Sequence, residues 1–415
     1  MTAQTDITGN QRRNTAEFTI GGYLIQRLRD YGIHDLFGIP GDYILSFYSE
    51  LEKSPINVVG CTREDCAGFA ADAYARINGM GAVCVTYCVG GLSVSNSIAG
   101  AYAEKSPVVV ISGSPGMSER KGDALLHHMV RDFRTQIDVF EKFTIAGADL
   151  SDPLTAFSEI DRVLDACDRF KRPVYIELPR DMVHVVPPVA HGYSRQVHEN
   201  NDAATAEAIS ETCTRLSTAK KPVILAGVEV HRFGLQDQLL ELAEACNIPI
   251  STTMLGKSVV SECHPLFIGL YEGAIGNEEV TRFVEDSDLV LMLGTFLSDI
   301  NLGVYTAKLD PDRCVYATSE ELRISHHYYH HVELKQFIEG LIAADLKSTT
   351  REIPASLKLD HEQNARHVSD GQQPLRTSRM MAVLNQRLDA ESIVVADVGD
   401  ALFAATELTI HDRGE

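Results

Sequence analysis

Short apolar runs typical of buried strands alternate with longer segments of helical periodicity along most of the chain. Apolar residues at 24, 25, 28 and 31 form one helical face that ends at Gly32, before a strand predicted at 35–37. Further strands are predicted at 58–60, 81–87, 108–113 and 173–179, with helices between them. Strands that are apolar throughout indicate a parallel sheet covered on both faces. The pattern predicts an α/β protein with doubly wound parallel sheets.

The same alternation restarts twice, which predicts three domains. Residues 1–186 form the first domain, and residues 187–345 form a central Rossmann-like domain without the Gly-x-Gly-x-x-Gly motif of a dinucleotide site, although an adenylate could bind there. A polar linker covers 346–374, and residues 375–415 begin a third domain with a helix at 376–388 and a strand at 393–396. Because one helix and one strand cannot close a sheet, we expect this third domain to be truncated in the sequence given.

The composition limits the kinds of molecule that the protein is expected to bind. The chain has 415 residues, a formal net charge of −21 and no tryptophan. Without a basic run, binding of nucleic acid is not expected, and small-molecule chemistry is favoured. No apolar run is long enough for a membrane span, and the polar first residues lack the apolar core of a signal peptide. We therefore expect a cytoplasmic protein without membrane contact.

Two groups of potential metal ligands do not favour a metal site. The nine cysteines show no paired ligand spacing, so they indicate reduced thiols, although Cys84 and Cys88 could form a redox or metal pair. The histidine-rich run 326–331 suggests a metal site, but it follows a presumed strand in a sheet-packing unit. We predict no metal ion bound by either group.

Glu64 is the most prominent candidate for chemistry. A strand-like run at 57–59 leads to this carboxylate, which stands at the start of a helix rich in alanine and glycine. Small side chains at that density predict that another element packs closely against the helix.

Asp42, His127 and His128 follow strand-end loops of the same predicted sheet. Ligands of open α/β sheets bind at the carboxyl ends of the strands, so these side chains and Glu64 could share a crevice and relay protons near neutral pH. Two alternatives stay open. Asp42 could be a helix N-cap, and the histidine pair could be one packed and one solvent-facing side chain.

The order of motifs resembles the thiamine-diphosphate-dependent 2-oxo acid decarboxylases, which include pyruvate, indolepyruvate and phenylpyruvate decarboxylases. The resemblance covers residues from about 18 to 410, through GIPGD, the Arg63-Glu64 alanine helix, GGLSVSNSIAGAYAEKSPVVVISGSP, LLHH and KPVILAG. The Glu64 helix is shared with the wider superfamily that includes acetolactate synthase. The His127-His128 pair marks the narrower decarboxylase group.

The resemblance implies a pyrimidine-binding domain, a central domain and the start of a diphosphate-binding domain. It implies non-oxidative decarboxylation of a 2-oxo acid (pyruvate, indolepyruvate, phenylpyruvate or a branched-chain acid) to an aldehyde and CO2, through an ylide and an enamine of thiamine diphosphate. Glu64 would contact N1′ of the pyrimidine, while Asp42, His127 and His128 would position the substrate and relay protons. Gly399 and Asp400 would contact the cofactor.

The resemblance also implies Mg²⁺ and a homodimer or homotetramer with its active site at a subunit interface. The Gly-Asp-Gly motif that holds Mg²⁺ and the diphosphate in the family is not found in the sequence, so we expect the metal ligands beyond Glu415 and an inactive or weakly binding chain on its own. Met129–Asp132 replaces a Gly-containing turn of the family, which leaves the substrate open. The alternatives are a carboligase like acetolactate synthase, or a non-catalytic truncated subunit that pairs with a full-length homologue.

Overall fold

The computed structural model describes residues 18–121, 125–193, 200–344, 346, 348, 351–357 and 375–413. The chain divides into two compact units, Met1–Val197 and His198–Glu415. Most of the predicted linker 346–374 lies outside the described residues. None of the described helices is both long and apolar enough to cross a membrane.

The first unit contains a six-stranded sheet in which every neighbouring pair of strands is parallel. The strand order is β2-β1-β3-β4-β6-β5. The strands are β1 (Asp35–Gly38), β2 (Asn57–Gly60), β3 (Gly81–Val85), β4 (Val108–Ser114), β5 (Ala146–Asp149) and β6 (Val174–Pro179).

Helices cover both faces of this sheet. They are α1 (Ile20–Asp30), α2 (Leu45–Leu51), α3 (Glu64–Asn78), α4 (Val89–Ala103), α5 (Thr135–Phe140) and α6 (Ala156–Phe170). In β3, Ala82 and Cys84 belong to the core formed with α1, α2 and α6, whereas Val83 and Val85 belong to the core formed with α3 and α4. Successive side chains of a strand point to opposite faces, so an apolar run fills both cores. The predicted doubly wound α/β fold is confirmed.

The second unit contains a seven-stranded sheet with the order β13-β12-β11-β10-β7-β8-β9. Only the β11–β12 and β12–β13 pairs are antiparallel. The strands are β7 (Pro222–Ala226), β8 (Ile250–Thr252), β9 (Phe267–Leu270), β10 (Leu289–Leu293), β11 (Cys314–Ala317), β12 (Leu322–Ile324) and β13 (His327–Tyr329). The helices are α7 (Asp202–Thr218), α8 (Val228–Arg232), α9 (Gln236–Cys246), α10 (Glu278–Glu285), α11 (Leu334–Ala343), α12 (Thr377–Asn385) and α13 (Asp400–Ala405).

The prediction of a strand at 393–396 is wrong. Residues 393–396 pair with no strand among the described residues, and Ile393 and Val395 are 90% and 92% exposed. A strand forms when its backbone groups find a hydrogen-bonding neighbour, which local sequence cannot supply. The segment after α13 does dock on its own unit, where Nζ of Lys257 donates to the carbonyl oxygen of Leu408 at 2.7 Å.

Candidate active site

The turn after β1 brings Asp42 to the carboxyl edge of the first sheet. Gly41 permits this turn, because a Cβ atom there would lie 2.5 Å from Cβ of Thr86, beyond the end of the neighbouring strand β3. The N-cap of α2 is Ile44, and no side chain caps that helix. The alternative of Asp42 as a helix N-cap is therefore wrong, and its carboxylate is available for other contacts.

His127 and His128 lie in a turn, not on a helix. His128 has a φ of +67°, and the two imidazole rings meet edge to face with centroids 4.7 Å apart. Both side chains are exposed, which contradicts the alternative of one packed histidine. Nε2 of His127 contacts the carboxylate of Asp42. One carboxylate oxygen of Asp42 and one ring nitrogen each of His127 and His128 lie within 4.8 Å of one another.

Tyr43 holds His127 from the buried side and was not expected from the sequence. Its hydroxyl lies 3.3 Å from Nδ1 and 3.2 Å from the carbonyl oxygen of His127, and the two rings stack with centroids 4.9 Å apart. Burial, together with the nearby charge of Asp42, raises the pKa of Tyr43, so its hydroxyl stays protonated. Its place directly after Asp42 was the available signal in the sequence.

Glu64 begins α3, which follows strand β2, the neighbour of β1 in the sheet. The adjacent Asp65 accepts two hydrogen bonds from Arg63. Within the described residues the carboxylate of Glu64 has no hydrogen bond or ion pair of its own, and none joins it to Asp42, His127 or His128. Gly399 and Asp400 lie in the second unit, where Gly399, with a φ of +82°, precedes the first residue of α13.

A buried polar network anchors the segment that leads from β4 towards the histidine pair. Arg120 donates to Glu177 at 3.2 Å, to Oγ of Ser114 at 2.7 Å and to Asp149 at 3.0 Å. Tyr175 donates to the other oxygen of Glu177 at 2.8 Å. Burial, aided by the charge of Asp149, raises the pKa of Glu177 to about 7. Sequence reasoning missed this network because Glu177 lies within an otherwise apolar strand.

The cysteines and the histidine run 326–331 were both considered as metal ligands, and the structure gives them different surroundings. All nine cysteines are free, and neither Cys84 nor Cys88 belongs to a cluster of three metal-ligating side chains among the described residues. In the run 326–331, His326 pairs with Asp312 and His327 with Glu211, each at 2.8 Å. Glu211 lies 116 positions before His327 in the chain, so local sequence could not show this acidic partner.

Comparison with known proteins decides the family. Residues 18–139 match the model described as thiamine pyrophosphate enzyme, N-terminal TPP binding domain, and residues 209–344 match thiamine pyrophosphate enzyme, central domain. An indole-3-pyruvate decarboxylase of Azospirillum brasilense is 37% identical over 400 residues, which cover 93% of this chain and 70% of that protein. The chain belongs to the thiamine-diphosphate-dependent 2-oxo acid decarboxylase family.

Two other relatives agree with this assignment. An alpha-keto-acid decarboxylase of Mycobacterium leprae (strain TN) is 32% identical over 94% of this chain and 69% of its own length. A pyruvate decarboxylase of Hanseniaspora uvarum is 32% identical over 94% of this chain and 70% of its own length. The predicted family, its enzymatic class and the use of thiamine diphosphate are confirmed.

The residues present fit part of the cofactor. A carboxylate without a partner among the described residues, at the start of a helix built from small side chains, suits a hydrogen-bonding group of a pyrimidine ring. The described residues contain no cluster of three carboxylates that would suit Mg²⁺, since the one cluster of three ligands includes two histidines.

Proposed function

We propose that the enzyme converts a 2-oxo acid into an aldehyde and CO2 without oxidation, with Asp42, Glu64, His127 and His128 in its active site. The observation that carries the proposal is the convergence of Asp42 with both histidines at the carboxyl edge of the first sheet. Imidazole nitrogens accept and donate protons, so this cluster can hold a proton and deliver it to a reacting carbon. The names of the three relatives support indolepyruvate, pyruvate and other 2-oxo acids as candidate substrates.

Thiamine diphosphate would supply the carbon nucleophile and accept the electron pair that decarboxylation releases. In our proposal Glu64 holds the pyrimidine ring, and Gly399 and Asp400 contact the cofactor. Mg²⁺ is proposed for the diphosphate group, since phosphate groups are commonly bound through that ion. Its ligands are proposed to lie outside the residues that the structure describes.

The test of this assignment replaces Glu64 and measures decarboxylation by the complete enzyme, by which we mean the protein saturated with thiamine diphosphate and Mg²⁺. We expect Glu64→Gln to lower the decarboxylation rate by about 100-fold or more, a typical effect of losing an acid–base group. The matched control is Asp65→Asn on the same helical turn. The carboxylate of Asp65 pairs with Arg63, and its replacement should leave the rate within about threefold of the wild type. An unchanged rate in Glu64→Gln would refute the central role of this residue.

Product analysis separates the remaining alternatives. Our proposal predicts aldehyde as the main product, whereas a carboligase would form a 2-hydroxyketone from the same 2-oxo acid. A non-catalytic subunit would show neither product by itself and would co-purify with a longer homologue. Comparison of kcat/KM for pyruvate, indolepyruvate, phenylpyruvate and a branched-chain acid would then define the substrate.

The exposed face of α3 supports the proposal of a homodimer or homotetramer. Phe69 and Ile77 are 50% and 60% exposed on this helix, with Ala73 between them. Large apolar side chains on an exposed helical face are typical of a protein interface. Phe69→Asp should therefore lower the mass measured by light scattering.

Nine free cysteines are consistent with a reducing compartment, and on that basis we propose a cytoplasmic location.

A further inference from the structure

We propose that Asp42, His127 and His128 together bind a Zn²⁺ ion and that this ion inhibits the enzyme. Two imidazoles and one carboxylate form a three-ligand set with an open fourth position, as zinc sites that exchange ligands have. Metal binding depends only on these side chains. The inhibitory effect rests on the function proposed above, because the ion would occupy the groups assigned to substrate and proton handling.

The geometry is close to that of a bound metal. A tetrahedral zinc ion with bonds of about 2.0–2.1 Å holds its ligand atoms about 3.3 Å apart. The candidate atoms lie within 4.8 Å of one another, and the side chains of Asp42 and His127 are 41% and 60% exposed. The partly exposed side chain of Asp42 and the exposed side chain of His128 can rotate without disturbing a core, so small rotations of these two side chains towards His127 would complete the ligand set.

Tyr43 orients His127 as a metal ligand requires. Metal-bound histidines usually donate the hydrogen of their other ring nitrogen to a fixed acceptor. Here the Tyr43 hydroxyl, at 3.3 Å, can accept from Nδ1 while it donates to the carbonyl oxygen of His127 at 3.2 Å. That arrangement leaves the lone pair of Nε2 directed towards the carboxylate of Asp42, and a metal ion replaces the proton between them when the two atoms separate to about 3.3 Å.

The ligand types predict which metals bind. Imidazole nitrogen suits Zn²⁺, Co²⁺, Ni²⁺ and Cu²⁺, whereas Mg²⁺ prefers oxygen ligands in octahedral geometry. The Mg²⁺ supplied with the cofactor should therefore not compete for this site. The guanidinium of Arg180, 5.3 Å from the centre of the Tyr43 ring, is paired with Glu119, so its charge is compensated.

The experiment measures metal binding by the full chain without cofactor or substrate. Co²⁺ serves as the absorbing probe, and Zn²⁺ affinity is obtained by calorimetry. We expect one equivalent of Co²⁺ with a spectrum of nitrogen and oxygen ligands and no thiolate charge-transfer band, displaced by Zn²⁺. Asp42→Ala and His128→Ala should each weaken Zn²⁺ binding by about tenfold or more. His326→Ala, which removes a histidine that pairs with Asp312, is the control and should leave the affinity unchanged. Circular dichroism and thermal unfolding check that each variant is folded.

Several results would overturn the proposal. The metal site would be refuted if the wild-type chain bound no Co²⁺ or if the Co²⁺ spectrum contained a thiolate charge-transfer band. It would also be refuted if Asp42→Ala, His128→Ala and the wild type bound Zn²⁺ with equal affinity. In the complete enzyme with saturating Mg²⁺, added Zn²⁺ should lower the decarboxylation rate and a chelator should restore it. Zinc binding without loss of rate would refute inhibition. Zinc binding by a protein that decarboxylates no 2-oxo acid would refute the proposed function and leave the metal site intact.

Discussion

The hydroxyl of Tyr43 lies 3.3 Å from Nδ1 of His127, and the two rings stack. The contact joins the residue that follows Asp42 to a histidine 84 positions further along the chain. A buried tyrosine thus fixes the ring plane of an exposed histidine. Through that ring it also directs Nε2 of His127 towards Asp42.

Tyr43→Phe should keep the stacked ring and remove the hydroxyl. Since one hydrogen bond contributes about 1 kcal/mol, we expect kcat/KM of the complete enzyme to fall about fivefold. Nitrogen NMR of the His127 ring should show mixed tautomers in the variant and one tautomer in the wild type. Tyr48→Phe is the matched control, because it removes a buried hydroxyl that donates to the carbonyl oxygen of Cys84 at 2.9 Å. A loss of activity in both variants, with unchanged His127 spectra, would contradict a positioning role for Tyr43.

Glu177→Gln should change how stability depends on pH. Burial raises the pKa of Glu177 from 4.5 to about 7, so the folded state retains a proton that the unfolded state releases. The protonated carboxyl therefore stabilises the fold at low pH, and this contribution is lost as pH rises from about 4.5 towards 7. The shift corresponds to about 3 kcal/mol. Denaturant unfolding from pH 4.5 to 7.5 should show the wild type losing that much relative to Glu177→Gln.

A partly exposed carboxylate gives the control for this titration. Glu159 on α6 pairs with Arg162, and Glu159→Gln should differ from the wild type by less than about 0.5 kcal/mol throughout. A constant difference between wild type and Glu177→Gln across the pH range would show that the fold does not raise the pKa of Glu177.

Gly68→Ala should destabilise the contact between α3 and α4. A Cβ atom at residue 68 would lie 1.9 Å from Oγ of Ser97 and 2.5 Å from a methyl carbon of Val94. Overpacking of this kind costs about 1–3 kcal/mol, so the midpoint of thermal unfolding should fall. Gly100→Ala on α4 is the control, because a Cβ atom there would meet nothing within 4 Å. It should stabilise the helix by up to about 1 kcal/mol. Equal midpoints for the two variants would contradict close packing at Gly68.

Arg351→Lys should weaken the attachment of the segment 351–357 to the rest of the second unit. The guanidinium donates to the carbonyl oxygens of Lys221, Pro222 and Phe283 at 2.7–2.9 Å and stacks 3.5 Å from the centre of the Phe283 ring. A lysine ammonium cannot reproduce this planar set of donors. We expect a loss of about 1–3 kcal/mol in unfolding free energy and faster proteolysis near residue 351. Arg282→Lys, at an exposed pair with Glu278, should change neither.

The local sequence was sufficient for the fold class and for the candidate residues of the first unit. Apolar runs of strand length between helical segments predicted the parallel sheets, because each residue's burial follows the period of its own element. The turn that carries Asp42, the helix that begins at Glu64 and the histidine pair could each be recognised from neighbouring residues alone. The order of these motifs also indicated the family.

Contacts between distant segments were decided by the tertiary structure. The strand order β2-β1-β3-β4-β6-β5 brings the turn after β1 and the segment after β4 to one edge of the sheet, which allows Asp42 to meet His127. Local periodicity does not encode strand order, so neither the support of His127 by Tyr43 nor the pairing of Arg120 with Glu177 could be predicted. The strand predicted at 393–396 failed for the same reason. Its apolar residues fit a strand, but pairing depends on a partner that only the folded structure can provide.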